Sequence, residues 1–213
     1  MSDILTFDLP LIGDIKESDI PTPEEYTYWK DRKNRVFYID YVIDEDQRLL
    51  ELAKIIIQMN MEEMHIPKEQ LEDIVIFIHS CGGLLDQSMF FCDLIKSSRI
   101  PIITVAMGTA MSAGCLIFLA GHKRYAFPHT QVLIHSGAAA FEGTAEQIEE
   151  AQKNYKKQIE EMKSYILDNT SIDEKTFNKN RKKDWYLTVD ELVKYGIVDS
   201  IITDISEVIN NAV

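Results

Sequence analysis

The chain has 213 residues, 46% hydrophobic and 27% charged, with 22 Lys and Arg against 35 Asp and Glu, a net charge of −13. Such a length carries one to two domains and buries a core without disulfide or metal staples. The composition excludes a disordered or fibrous chain, and a pI near 4.8 speaks against nucleic acid, which would be repelled before contact. Three cysteines, Cys81, Cys92 and Cys115, have no metal-like spacing and read as reduced thiols of a cytoplasmic protein.

The opening MSDILTFDLP lacks a basic region ahead of its apolar residues, so no secretory signal is expected. Residues 1–25 hold Pro10, Pro21 and Pro23, several acids and a weak apolar cluster at Ile4–Ile12. They read as a partly ordered N-terminal arm before a domain spanning 26–213. Val36–Ile39 predicts a short strand, and Asp44–Glu63 a helix with its stripe at Leu49, Leu50, Ala53, Ile56, Ile57 and Met61. Ile74–Ile78 is a continuous β-branched run, as in a strand buried on both faces. Gly82-Gly83 then breaks the chain before an amphipathic helix at 85–97.

Ile100 to Gly121 carries no formal charge and is long enough to span a bilayer. Its glycines, Pro101 and its change from β-branched to helix-forming residues instead predict a buried strand at Ile102–Met107 and a helix at Ser112–Ala120, with no membrane contact. Strands follow at Lys123–Phe127 and Gln131–His135. Capping boxes at Thr144 with Gln147, Ser171 with Glu174, and Thr188 with Glu191 open three helices, the first running to about Asn169. The last stops at Gly196, before a strand at Ile197–Ile202. Strand–helix alternation of this kind is an α/β fold with a mainly parallel sheet.

Ligands of such sheets collect at the carboxyl ends of strands, where two glycine-marked loops lie. In the first, His79 to Gly83, paired glycines can turn consecutive N–H groups toward an anion, or simply make a tight turn. In the second, Met107 to Cys115, Ser112 stands among small residues at a helix start, as a nucleophile or as a cap. A serine nucleophile needs a base, and the base an orienting group. Of five histidines, His65, His122 and His129 fall in polar or turn-like segments, whereas His79 and His135 end apolar strands. Spacing does not choose the acid; Asp184, between Arg181-Lys182-Lys183 and Trp185-Tyr186-Leu187, stands out modestly.

Taken in order, the glycine pair, M-G-x-A-x-S-x-G, the strand ending in Ile134-His135, and D-x-x-L-[ST]-x-x-E resemble the ClpP family of serine peptidases, and ELVKYGIVDSI at 191–201 is particularly similar. The resemblance covers roughly residues 26–202. It implies a spiral of βαβ units, shared with crotonases, and a protruding handle helix within about 136–170. It makes Ser112 the nucleophile, His135 the base and Asp184 the acid, an order unlike those of chymotrypsin, subtilisin or α/β-hydrolases. It also implies an oxyanion hole at Gly83 and Ala113, substrate-binding positions at Leu85 and Ala138, and no metal.

The same resemblance implies a homo-oligomer of stacked heptameric rings, peptide substrates, and an AAA+ unfoldase as partner. No G-x-x-x-x-G-K-[ST] loop occurs, so no cofactor is expected in this chain and ATP would act only through that partner ATPase. The stripe Ile148, Ala151, Tyr155, Ile159, Met162 and Ile166 is expected to pack on the same helix of a facing ring and to fix the Asp184 segment.

Three departures stand against the family pattern. Cys81 replaces a usual proline and reads as a small buried residue; Ser136-Gly137-Ala138-Ala139-Ala140 replaces a Gln-Pro-Leu-Gly-Gly-like stretch; Lys183 replaces an arginine of the ring contact. The departures at Cys81 and Lys183 leave open a catalytically weak ClpP-like assembly subunit, and the shared fold and oxyanion loops leave open a crotonase-like acyl-CoA enzyme, which lacks the triad.

Overall fold

The structure, a computed structural model, describes residues 21–209. The expected arm therefore falls almost wholly outside the described residues, and helix α1 (Pro23–Asn34) begins at its end. A capping box between Thr22 and Glu25 starts α1, and Arg35, in the left-handed conformation, ends it. No α1 residue is buried, so it lacks the apolar stripe that would have marked it in the sequence.

β1 (Val36–Ile39), α2 (Arg48–Glu62), β2 (Ile74–Ser80), α3 (Leu85–Ser97), β3 (Ile102–Met111), α4 (Ala113–Ala120), β4 (Lys123–Ala126) and β5 (Gln131–Ile134) follow. After them come the long α5 (Ala145–Asp168), α6 (Glu174–Asn180), β6 (Trp185–Leu187), α7 (Val189–Lys194), β7 (Ser200–Ile201) and α8 (Ser206–Ile209). The sheet runs β1-β2-β3-β4-β7, with β5 branching from β3 and β6 from β5. Every pairing is parallel except β5 with β6.

Period-two alternation sorts the strands between two cores. Ile74, Ile76 and Ile78 of β2 join the larger core with residues of α2, α3 and α4. Val75 and Phe77 join the smaller one, which Val208 of α8 closes. Both faces of β2 are thus covered, as its unbroken apolar run required. The uncharged stretch from Ile100 divides into β3 and α4, both inside this core. No helix among the described residues is long and apolar enough to cross a membrane.

Three expectations shift. Asp173, rather than Ser171, caps α6, accepting from the Thr176 N–H at 2.9 Å. The last strand shrinks to Ser200–Ile201, because Ile197 and Val198 are spent on the core before it. β3 continues past Gly108 to Met111, since glycine here bends the strand without ending it.

Candidate active site

β3 changes partner along its length, and that change builds the site. Ile103 to Ala106 pair with β4, whereas Thr109 to Met111, beyond the bend at Gly108, pair with β5. The His79 Nδ1 lies 2.8 Å from Met107 O at this bend, so His79 serves the backbone rather than the site. The register Met111↔Leu133 continues as a bond from the Ser112 N–H to Leu133 O at 2.9 Å. His135 stands two residues beyond Leu133, and its Nε2 lies 2.7 Å from Ser112 Oγ.

Ser112 has φ 52° and ψ −122°, a region an L-residue occupies at a cost of about 1–3 kcal/mol. Its carbonyl accepts the Cys115 and Leu116 N–H groups at 2.9 and 3.2 Å, so the first turn of α4 holds the strained residue in place. The elbow leaves the hydroxyl projecting at a helix start, toward which the partial positive end of α4 points.

The antiparallel ladder of β5 and β6 ends at Ile134↔Trp185. The next pair is His135 with Asp184, whose Oδ1 lies 3.5 Å from the imidazole Nδ1. The sequence reading missed β6, although Trp185 and Leu187 are buried around an exposed Tyr186, the alternation of a half-buried strand. The Asp184 side chain is 61% exposed against 29% for His135.

The two glycine-marked loops meet face to face. A Cβ on Gly82 would stand 2.5 Å from Met111 O and 2.9 Å from Ala113 N, and one on Gly83 would overlap the Ile43 carbonyl. Only hydrogen fits at either position. Ile43 bridges this loop, donating to Gly82 O at 2.9 Å and accepting from Leu84 N–H at 2.7 Å. The Gly83 and Ala113 N–H groups are left out of these turn and ladder bonds.

A cleft of about 670 Å³ runs over the site, and Leu85, Ala138, Gly83, Ala113, Ser112, His135 and Asp184 all line it. Tyr155, Gln158, Ile159 and Met162 of α5 line it too. At its C-terminal end the α5 stripe departs from expectation: Met162 and Ile166 are buried in the chain's own core, and Ile159 packs against it. Cys81 also differs from expectation. It is exposed at the cleft, because the loop turns it outward while Gly82 is pressed inward. Cys92 and Cys115 are buried, which pushes both thiols up to about 12 and keeps them protonated. Lys183 is exposed, its backbone N–H closing a turn on Asn180 O at 3.1 Å. No cluster of His, Cys, Asp and Glu among the described residues could hold a metal.

A parallel α/β spine thus brings a serine at positive φ, a histidine and a carboxylate together at one cleft. The family model described as Clp protease matches residues 32–205. The chain therefore belongs to the Clp protease family. Its structure is similar to that of a ClpP1 mutant from Listeria monocytogenes, with a TM-score of 0.72 and 25% sequence identity. That match covers 88% of this chain and 99% of the other.

Proposed function

We propose that the chain is a serine endopeptidase cleaving peptides and unfolded proteins through Ser112, His135 and Asp184. The observation that carries this reading is the 2.7 Å approach of His135 Nε2 to the Oγ of a serine held at positive φ. In the reaction, Oγ attacks the peptide carbonyl as Nε2 takes its proton, giving a tetrahedral intermediate and then an acyl-enzyme. The same proton goes to the leaving amine, and water repeats the sequence to release the acid. Asp184 holds the imidazole with Nε2 free to accept. The Gly83 and Ala113 N–H groups receive the oxyanion, each worth about 3 kcal/mol in comparable sites.

The wider proposal is a cytoplasmic homo-oligomer of stacked heptameric rings that admits substrate from an AAA+ unfoldase. Family membership supports it. A fluorophosphonate probe should label the full chain and fail to label Ser112→Ala, and native mass measurement should give two stacked heptamers. Absence of labelling in an assembled protein would favour the catalytically weak assembly subunit instead.

A further inference from the structure

The His135–Asp184 pair raises a mechanical question. At 3.5 Å and 61% exposure, the carboxylate has no other partner among the described residues. Exposed ion pairs gain little over hydration and cost side-chain entropy, so this contact is a weak way to fix an imidazole. The backbone around it must do so. On one side the pair is held by the last ladder pair, Ile134↔Trp185. On the other side stands Ser136, whose hydroxyl donates to Arg181 O at 2.7 Å.

Ser136 is anchored in turn. Its carbonyl accepts from the Tyr155 hydroxyl of α5 at 3.0 Å. Arg181, the C-cap of α6, donates its N–H to Phe177 O at 2.8 Å and its guanidinium to Glu160 of α5 at 3.1 Å. Lys163 of α5 completes the tie by pairing with Glu174 of α6 at 2.6 Å. The segment leading to Asp184 is therefore fastened to α5, and Ser136 fastens it to the strand that carries the base.

We infer that Ser136 is a positioning residue: its hydroxyl, bonded to Arg181 O, closes the frame that sets the distance between His135 and Asp184. The inference rests on the triad reading above and adds to it a residue at the cleft wall whose hydroxyl is spent on a backbone carbonyl rather than on the reacting atoms. A displacement of about 1 Å at such a pair lowers rates by up to about 100-fold.

The test uses the full-length protein, with peptide turnover and the rate of fluorophosphonate acylation as readouts. Ser136→Ala should lower kcat by about 10- to 100-fold with KM little changed. Ser136→Thr, which keeps the hydroxyl, should recover most of that loss. In an Asp184→Ala background, Ser136→Ala should have no further effect, because the group it positions is gone. Normal turnover in Ser136→Ala, no recovery in Ser136→Thr, or an undiminished loss in the Asp184→Ala background would each overturn the inference. Ser112→Ala, run alongside, tests the reaction class separately: activity there removes the triad reading itself.

Discussion

The two contacts of His135 are built from different material. The Ser112 side comes from β3 and β5, parallel strands inside the sheet, and closes to 2.7 Å over a half-buried serine. The Asp184 side comes from β6, a strand of three residues paired with β5, and closes only to 3.5 Å at an exposed carboxylate. Interior strands thus fix Ser112 and His135, whereas Asp184 lies just before a short edge strand that is anchored by buried Trp185 and Leu187 but leaves the carboxylate itself in solvent. Of the two partners of His135, Asp184 is the more distant and the more exposed.

That asymmetry can be tested in steps of decreasing effect. Ser112→Ala should remove peptidase activity by about 10⁴-fold or more, with the fold intact by circular dichroism. Asp184→Ala should cost less, about 10²- to 10⁴-fold, because serine and base keep their geometry. Equal losses would mean that the exposed carboxylate matters as much as the shorter, half-buried contact to Ser112. Trp185→Ala probes the support of the acid rather than the acid. Trp185 is 7% exposed and meets the Tyr195 ring edge-on. Its removal should destabilise the protein by about 3–5 kcal/mol and bring activity toward that of Asp184→Ala. Thermal denaturation with turnover below the transition separates the two effects.

The smallest effect concerns acid pH. Hydrogen bonds from the Thr176 side chain and N–H hold the Asp173 carboxyl below its usual 3.8. A depressed folded value means that this stabilisation of α6 is present above pH 3.8 and disappears as pH falls through the lower folded value. Asp173→Asn keeps a neutral cap and should make the acid limb of a stability–pH curve shallower. An unchanged limb would show that the α6 cap does not contribute to it.

Much of this fold was legible because burial leaves a pattern. β2 and α3 were readable from an apolar run and an amphipathic stripe, and α3 begins and ends where expected. α1 was not, since it buries nothing. β6 was not, because three residues are too short for periodicity to separate from a loop. In the site, Ser112 was visible as a hydroxyl among small residues, and Gly82-Gly83 as a break. Asp184 was selected only by resemblance, because its placement depends on a cross-strand register. Ser136 was visible only as part of a departure from the family pattern, and its bond was not legible, since its partner is a backbone carbonyl that any residue at 181 would supply.

The unequal placement of the three thiols has a practical consequence. Cys92 and Cys115 are sealed in the core with thiols pushed up to about 12, while Cys81 stands exposed beside the glycine pair. A maleimide dye added to the folded native chain would therefore attach at one address, on the rim of the cleft. The protein comes with its own reporter position, and fluorescence from that position would follow occupation of the cleft without an engineered cysteine.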